Sequence, residues 1–377
     1  MNYLALKSGA IVSLLFLAVP AVAQPDWMVY DGTGSIATSS STADAPLDKD
    51  YKFKERGTRK SAAAGEIGDM LALAGILEYG FGTTGLDRAG ALDLYEKVAD
   101  KGNVLGQRKM CVAYLLGEGR PVNLAKGMTY CNALGDKDPE GVFGGAFDFD
   151  HGISGPADDN SATALYKQAG QMGSGEAMDA LGQKALALGK PDAANEWFRE
   201  GAILGSADAM DHLAVMRETG QAGAANPAEA FWLYANAARR GNAHAAAWLA
   251  AQPPTVAPVP RVSVFNTKGL VTETVTDGGK TYTRAFDNAA AILKSLKDNY
   301  PWPAVKHEIQ GGAAIHCFID GSYQIDLCLL ENEYPIGFGF GPTLMRAMNR
   351  QFNIAHQDGD GRPTANTVAN YTVHWVT

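Results

Sequence analysis

The chain has 377 residues, 46% hydrophobic and 19% charged, which at ~100–200 residues per domain predicts two or three domains and excludes disorder as the main state. Its 32 Lys and Arg against 41 Asp and Glu give a net charge of −9, which argues against a basic nucleic-acid footprint. Four cysteines without a CxxC pair are too few for a disulfide-built miniprotein and do not suggest a zinc site.

Residues 1–23 read as a signal peptide. Lys7 precedes an apolar run from Ala10 to Val19, Pro20 breaks it, and Ala21-Val22-Ala23 forms a cleavage site before Gln24. The run is shorter than the ~20 residues needed to span a bilayer, so export with cleavage after Ala23 and a periplasmic location are expected. Export implies an oxidising compartment, where the four cysteines suit two disulfides. Residues 24–61 read as a flexible leader, Gly-, Ser- and Thr-rich from Asp31 to Thr42. It ends in a basic cluster of Lys49, Lys52, Lys54, Arg56, Arg59 and Lys60, read as a solvated face, with an anionic surface as the alternative.

From residue 62 to residue 252 the sequence repeats. Gly102-Asn103, Asp138, Gly173-Ser174, Gly205-Ser206 and Gly241-Asn242 recur at spacings of 36, 35, 32 and 36. In register lie the bulky pairs Leu94-Tyr95, Tyr130-Cys131, Leu165-Tyr166, Trp197-Phe198 and Leu233-Tyr234. Three residues before each pair is a small residue: Ala91, Gly127, Ala162, Ala194 or Ala230. A knob beside a hole lets helices approach closely, so the pairs read as core. Glycine-containing turns at Glu78–Gly82, Leu116–Gly119 and His151–Gly155 end the other helix of each unit, and Gly189-Lys190-Pro191 makes the fourth turn shorter. These features resemble Sel1-like repeats, relatives of the tetratricopeptide repeat. The resemblance implies an α-solenoid of about five helical hairpins whose groove docks a protein or peptide.

Cys111 and Cys131 lie ten residues either side of Pro121, so a disulfide across the second hairpin is expected; a pair of buried apolar thiols is the alternative. Pro253–Pro260 reads as a proline-rich linker. Beyond it, residues 261–377 are nearly neutral, with 10 basic and 11 acidic side chains, and read as a small α+β domain. The expected order is a strand pair at Arg261–Phe265 and Leu270–Thr276, then a helix at Asn288–Asp298. A hairpin of Ala313–Ile319 and Tyr323–Leu330 turns at Asp320-Gly321; a helix at Pro342–Gln351 and a strand at Asn370–Val376 follow.

Here Tyr300-Pro301 with Ala304, Gly311-Gly312, Asp320-Gly321, Glu331, Pro335, Gly337, Gly339-Phe340-Gly341 and Asp360–Pro363 resemble the C-terminal domain of the TonB family. The resemblance implies a protein-binding module whose edge strand pairs with a partner's strand, and places that edge at Asn370, Tyr371, Thr372, Val373, His374, Trp375 and Val376. A two-residue turn sets Cys317 opposite residue 324 or 325, so pairing with Cys328 requires a bulge or a wider loop.

Catalytic motifs are absent. Ser295-Leu296-Lys297 fails S-x-x-K by one place, His307-Glu308 lacks the second histidine of a zinc helix, and neither G-x-S-x-G nor a phosphate loop occurs. Asp148, Asp150 and His151 form the densest polar cluster, on a repeat turn where a solvated loop explains them better than a metal. The sequence therefore points to a non-enzymatic periplasmic adaptor without cofactors or a small-molecule substrate. Its expected partner is a protein or peptide of the envelope or outer membrane, with cell-wall contact as a further option. The alternative is an atypical TonB-type energy transducer or transport accessory protein held at the inner membrane.

Overall fold

The computed structural model describes residues 57–79, 86–252, 311–334 and 365–375, with short strands at 29–30, 36–37, 273–277 and 280–284 and the single positions 341 and 345. The chain divides into two compact units, one within residues 23–260 and one containing residues 261–377. The expected signal peptide and proline-rich linker lie outside the described residues. Within the stretch read as a leader, β1 (Val29–Tyr30) pairs antiparallel with β2 (Ile36–Ala37). Residues 57–63 are helical, so helix begins ahead of residue 62.

The helical unit continues as α1 (Ile67–Tyr79), α2 (Arg88–Ala99), α3 (Val104–Leu116), α4 (Leu124–Leu134), α5 (Pro139–His151) and α6 (Asp159–Met172). It ends with α7 (Gly175–Ala187), α8 (Pro191–Ile203), α9 (Ala207–Thr219), α10 (Pro227–Arg239) and α11 (Ala243–Ala251). Among the described residues these helices make five hairpins, α1–α2 through α9–α10, with α11 packed on the last. First helices of successive hairpins also touch, α3 on α5 and α7 on α9, so the hairpins stack.

Capping chemistry sets the boundaries. Between hairpins, the backbone N–H groups of Asn103, Ser174, Ser206 and Asn242 donate back to the carbonyls of Val98, Ala169, Gly201 and Ala237 at 3.0 Å. The side chains of the same four residues accept the first free N–H groups of the next helix. One residue thus closes a helix and opens another. The glycines ahead of them have φ of +81°, +110°, +98° and +99°, a conformation strained for any residue with a Cβ.

Inside the hairpins the connections run over residues 117–123, 152–158 and 220–226, but only 188–190 in the fourth, the shorter turn that the sequence predicts. The long turns are tied by N–H groups of Asn123, Asp158 and Asn226 donating to the carbonyls of Tyr114, Phe149 and Arg217 at 2.8–2.9 Å. In the short one Lys190 sits at the N-cap of α8 and makes no side-chain capping bond.

The small residue ahead of each bulky pair is buried: Ala91, Gly127, Ala162, Ala194 and Ala230. So is the second member of each pair: Tyr95, Cys131, Tyr166, Phe198 and Tyr234. At ~1.5–3 kcal/mol per fully buried large apolar side chain, the burial of this column stabilises the stack. Its tyrosines carry a second function. Tyr95, Tyr166 and Tyr234 donate their hydroxyls to Glu78, Asp150 and Glu218 of the preceding helix at 2.7, 3.2 and 2.8 Å. The next hairpin, or α11, adds Lys109, Lys184 or Trp248 Nε1 to the same carboxylate at 2.6, 2.5 and 3.1 Å. Burial works against the Glu78 carboxylate, yet Lys109 and Tyr95 hold it below the usual carboxylate range.

The even hairpins use other devices at that position. In the second, Cys131 is disulfide-bonded to Cys111 with the Cα atoms 5.0 Å apart. The third hairpin seats on this bridge, since a Cβ at Gly144 would come 2.4 Å from the Cys131 Cβ. In the fourth, Phe198 rests on Gly182, where a Cβ would come 2.4 Å from the ring.

In the C-terminal unit, β3 (Glu273–Asp277) pairs antiparallel with β4 (Lys280–Arg284). The expected partner of Leu270–Thr276 was Arg261–Phe265. The observed partner lies downstream instead, because Asp277 pairs with Lys280 and leaves only residues 278–279 for a tight connection. A second sheet has the order β6-β5-β7, from β5 (Gly311–Ile319), β6 (Ile325–Tyr334) and β7 (Thr367–Trp375), both pairs antiparallel. Ile315, Cys317 and Ile319 on one face of β5 and His316 and Phe318 on the other are all buried, so the central strand is covered on both sides.

Cys317 stands directly opposite Cys328 and is disulfide-bonded to it, with Cα atoms 3.9 Å apart. The two-residue turn at Asp320-Gly321 is therefore corrected to a loop over 320–324. Asp320 Oδ1 accepts the N–H groups of Ser322 and Gln324, and Tyr323 takes φ +62°. A register shift after Phe318 inserts Asp326 as an extra β6 residue. Loop and bulge together supply the offset that the sequence lacked. The expected helix Asn288–Asp298 lies outside the described residues, and of Pro342–Gln351 only residue 345 is described, as helical.

Candidate functional site

The first helices of successive hairpins form a ladder of charged side chains. An acidic residue stands second in α5, α7 and α9: Glu140, Glu176 and Asp208. A negative charge there complements the partial positive charge of a helix start. Arg108 on α3 reaches Asp138 Oδ2, the N-cap of α5, at 2.7 Å through Nη2 and Glu140 Oε2 at 3.4 Å through Nε. Further along, His212 Nδ1 lies 2.7 Å from Asp179 Oδ1 and His244 Nδ1 lies 2.8 Å from Asp211 Oδ2. Asn242 Nδ2 donates to Asp208 Oδ1 at 2.7 Å. Each contact joins one first helix to the next. Burial opposes a charged His212, but the Asp179 bond and the charges of Asp179, Asp211 and Asp208 hold its imidazole above the usual range.

The ladder runs into a seam where the stack curls back on itself. Arg88, at the start of α2, has its guanidinium wedged between two glycines. A Cβ at Gly119 would lie 2.9 Å from Arg88 Nε, and one at Gly241, beyond the fifth hairpin, would lie 2.3 Å from it. The first and fifth hairpins are therefore in contact. Arg88 Nη2 meets Glu118 Oε2 at 3.5 Å, while Arg88 Nε and Glu118 Oε1 are buried without a hydrogen-bond partner among the described residues. Burial, with the charges of Glu176 and Asp208 added, pushes the Glu118 carboxyl up to about 8. Burial also pushes Glu176 up to about 7 with help from Glu140, and Glu140 up to about 7 against the lowering effect of Arg108. The seam is thus short of cations. Arg88 is the cation that meets Glu118, because Lys109 is bound to Glu78 and Arg108 is shared between Asp138 and Glu140.

Neither the seam nor the histidine pairs was anticipated from sequence. The recurrence of Glu140, Glu176 and Asp208 one repeat apart was the available signal. Of the expected strand edge, Asn370, Tyr371, Thr372, Val373, His374 and Trp375 lie in β7, opposite His316, Ile315, Ala314, Ala313, Gly312 and Gly311 of β5, and Val376 lies outside the described residues. Among the described residues β7 pairs on one side only, as the outer strand of its sheet. Asp148, Asp150 and His151 are drawn into separate structural contacts: Asp148 accepts the Ser154 N–H at 2.8 Å, Asp150 binds Tyr166 and Lys184, and His151 Nδ1 lies 3.0 Å from the Phe147 carbonyl. No group of three metal-capable side chains occurs among the described residues, nor any helix long and apolar enough to cross a membrane. Of the basic cluster only Arg59 and Lys60 are described, on the helical stretch 57–63.

No family model and no curated protein matches the chain. Among solved structures, a protective antigen of uropathogenic Escherichia coli displaying an SLR fold is similar at 23% identity, over 56% of this chain and 46% of that one, with a TM-score of 0.32. This chain thus spans less than half of that protein's length. A Sel1 repeat protein from Oxalobacter formigenes is similar at 22% identity, over 53% of this chain and 83% of that one, with a TM-score of 0.32. An immunity protein from Pseudomonas aeruginosa is similar at 16% identity, over 62% and 84%, with a TM-score of 0.32. Independently of these likenesses, the paired helices and the recurring Gly-Asn and Gly-Ser junctions make residues 67–251 an α-solenoid.

Proposed function

We propose that the chain is an exported, periplasmic, non-enzymatic adaptor that binds a protein or peptide through its helical repeats and through the outer strand β7. The observation that carries this reading is the ladder of charged side chains across the first helices of the stack. Solenoids dock extended partners on such repeated surfaces, and this one combines buried aspartates with half-exposed or exposed histidines at His212 and His244. The outer strand supports a second contact by strand addition, the mode implied by the resemblance to TonB C-terminal domains. The signal-like segment at residues 1–23 supports the periplasmic location.

The test is formaldehyde crosslinking of the tagged full chain in cells, with mass spectrometry of its N-terminus. A start at Gln24 and one reproducible protein adduct are expected. An intact Met1 in the membrane fraction would favour the transducer instead, and muropeptide release by the purified protein would make it a hydrolase.

A further inference from the structure

We propose that the solenoid is a proton-gated ring: it stays closed while Glu118 and Glu176 hold protons, and it opens at the contact between Arg88 and Gly241 as they ionise. The inference stands on the seam and does not depend on the identity of any partner.

Three observations carry it. First, the seam is a close contact between distant parts of the stack, with the Arg88 guanidinium seated where any Cβ at Gly241 would lie 2.3 Å from Nε. Second, it buries polar atoms at the cost of their hydrogen bonds, since Arg88 Nε and Glu118 Oε1 have no partner among the described residues. Third, its charges do not balance when every carboxyl is ionised. Glu118 is faced by Arg88 from α2, Lys109 from α3, Glu176 from α7 and Asp208 from α9. Glu176 is faced by Glu140 from α5, Lys109 from α3 and Asp208 from α9. Glu140 is faced by Arg108 and Asp138, and Asp208 by Asp179, Asp211, His212 and Asn242. Lys109 is already paired to Glu78, and Arg108 is shared between Asp138 and Glu140, which among the described residues leaves Glu118 and Glu176 with Arg88 as the one cation not otherwise engaged.

Ionised carboxylates in such a place gain most from water, and water enters by parting the seam. Linkage gives the direction. The carboxyls of Glu118 and Glu176 stand above the ordinary 4.5 in the closed ring, at about 8 and about 7. They release protons more readily when solvated. Opening is therefore coupled to proton release: closure is unopposed below the ordinary carboxylate range and weakens as pH rises toward the raised values.

Hydrogen exchange of the full chain tests this, with labelling times scaled for intrinsic rates, at about pH 5.5 and about pH 8.5. Segments 86–92, 116–120 and 238–244 are expected to lose protection at least about tenfold at the higher pH, while α6 keeps its own. The isosteric E118Q/E176Q variant should stay protected at both values. Arg88→Ala should expose the seam at both, with unchanged α6 protection showing that the hairpins still fold. Equal seam protection at the two pH values in the wild type would overturn the proposal. So would an undiminished pH response in E118Q/E176Q, or an unaffected seam in Arg88→Ala.

Discussion

Replacing Cys111 and Cys131 together by alanine removes the one covalent tie inside the solenoid. The bridge joins α3 to α4 across a sequence separation of 20 residues, and both side chains are buried. Loop-closure entropy for that separation comes to about 11 cal/mol/K, or about 3 kcal/mol at room temperature. A smaller loss adds to it, because Gly144 of the third hairpin is shaped to the Cys131 side chain and alanine leaves part of that seat empty. Urea unfolding followed by helical circular dichroism should therefore place the double variant about 3–4 kcal/mol below the oxidised wild type. Simple reduction of the wild type does not isolate this effect, since it also opens the Cys317–Cys328 bridge of the other unit. Thiol titration of denatured, unreduced wild type should find no free thiol. A stability loss below about 1 kcal/mol, or recovery of both thiols, would refute the reasoning.

Other positions give independent checks. Gly182→Ala sets a methyl against the Phe198 ring and should cost about 1–3 kcal/mol in the same unfolding assay, with no change in fold by circular dichroism. Lys190→Asp supplies the side-chain cap that α8 lacks and should stabilise by about 0.5–2 kcal/mol; an unchanged urea midpoint would show that this helix start is satisfied otherwise. In NMR titration the His212 imidazole should protonate above the free-histidine range, and Asp179→Asn should lower its midpoint. A pKa raised on folding stabilises below the unfolded value and is lost as pH rises through the folded one. The Asp179→Asn penalty should thus be larger in mildly acidic than in mildly alkaline solution.

The hairpins were legible because their signals are local. A glycine that must be left-handed, an Asn or Ser that caps, and an alanine beside an aromatic residue all act within a few residues of themselves. The exchange of the tyrosine latch for Cys131 and Phe198 could also be read by aligning repeats. The Arg88–Gly241 seam could not, because superhelical closure sums small rotations over five hairpins and no residue encodes it alone. In the C-terminal unit β5 and β7 follow the alternating pattern, but the Cys317–Cys328 register depends on Tyr323 adopting φ +62° and on one extra residue at Asp326. Neither choice is visible in hydrophobic patterning, which fixes strands better than the loops that set their phase.

Site-resolved photo-crosslinking in living cells tests the adaptor reading most directly. A photoreactive residue is placed at position 212 or 244 on the ladder, at 372 on β7, and at the exposed position 168 on α6 as a control. The account predicts the same discrete protein adduct from the ladder positions, an adduct from position 372, and none from position 168. Adducts of equal intensity from the control, or none from either ladder position, would contradict it.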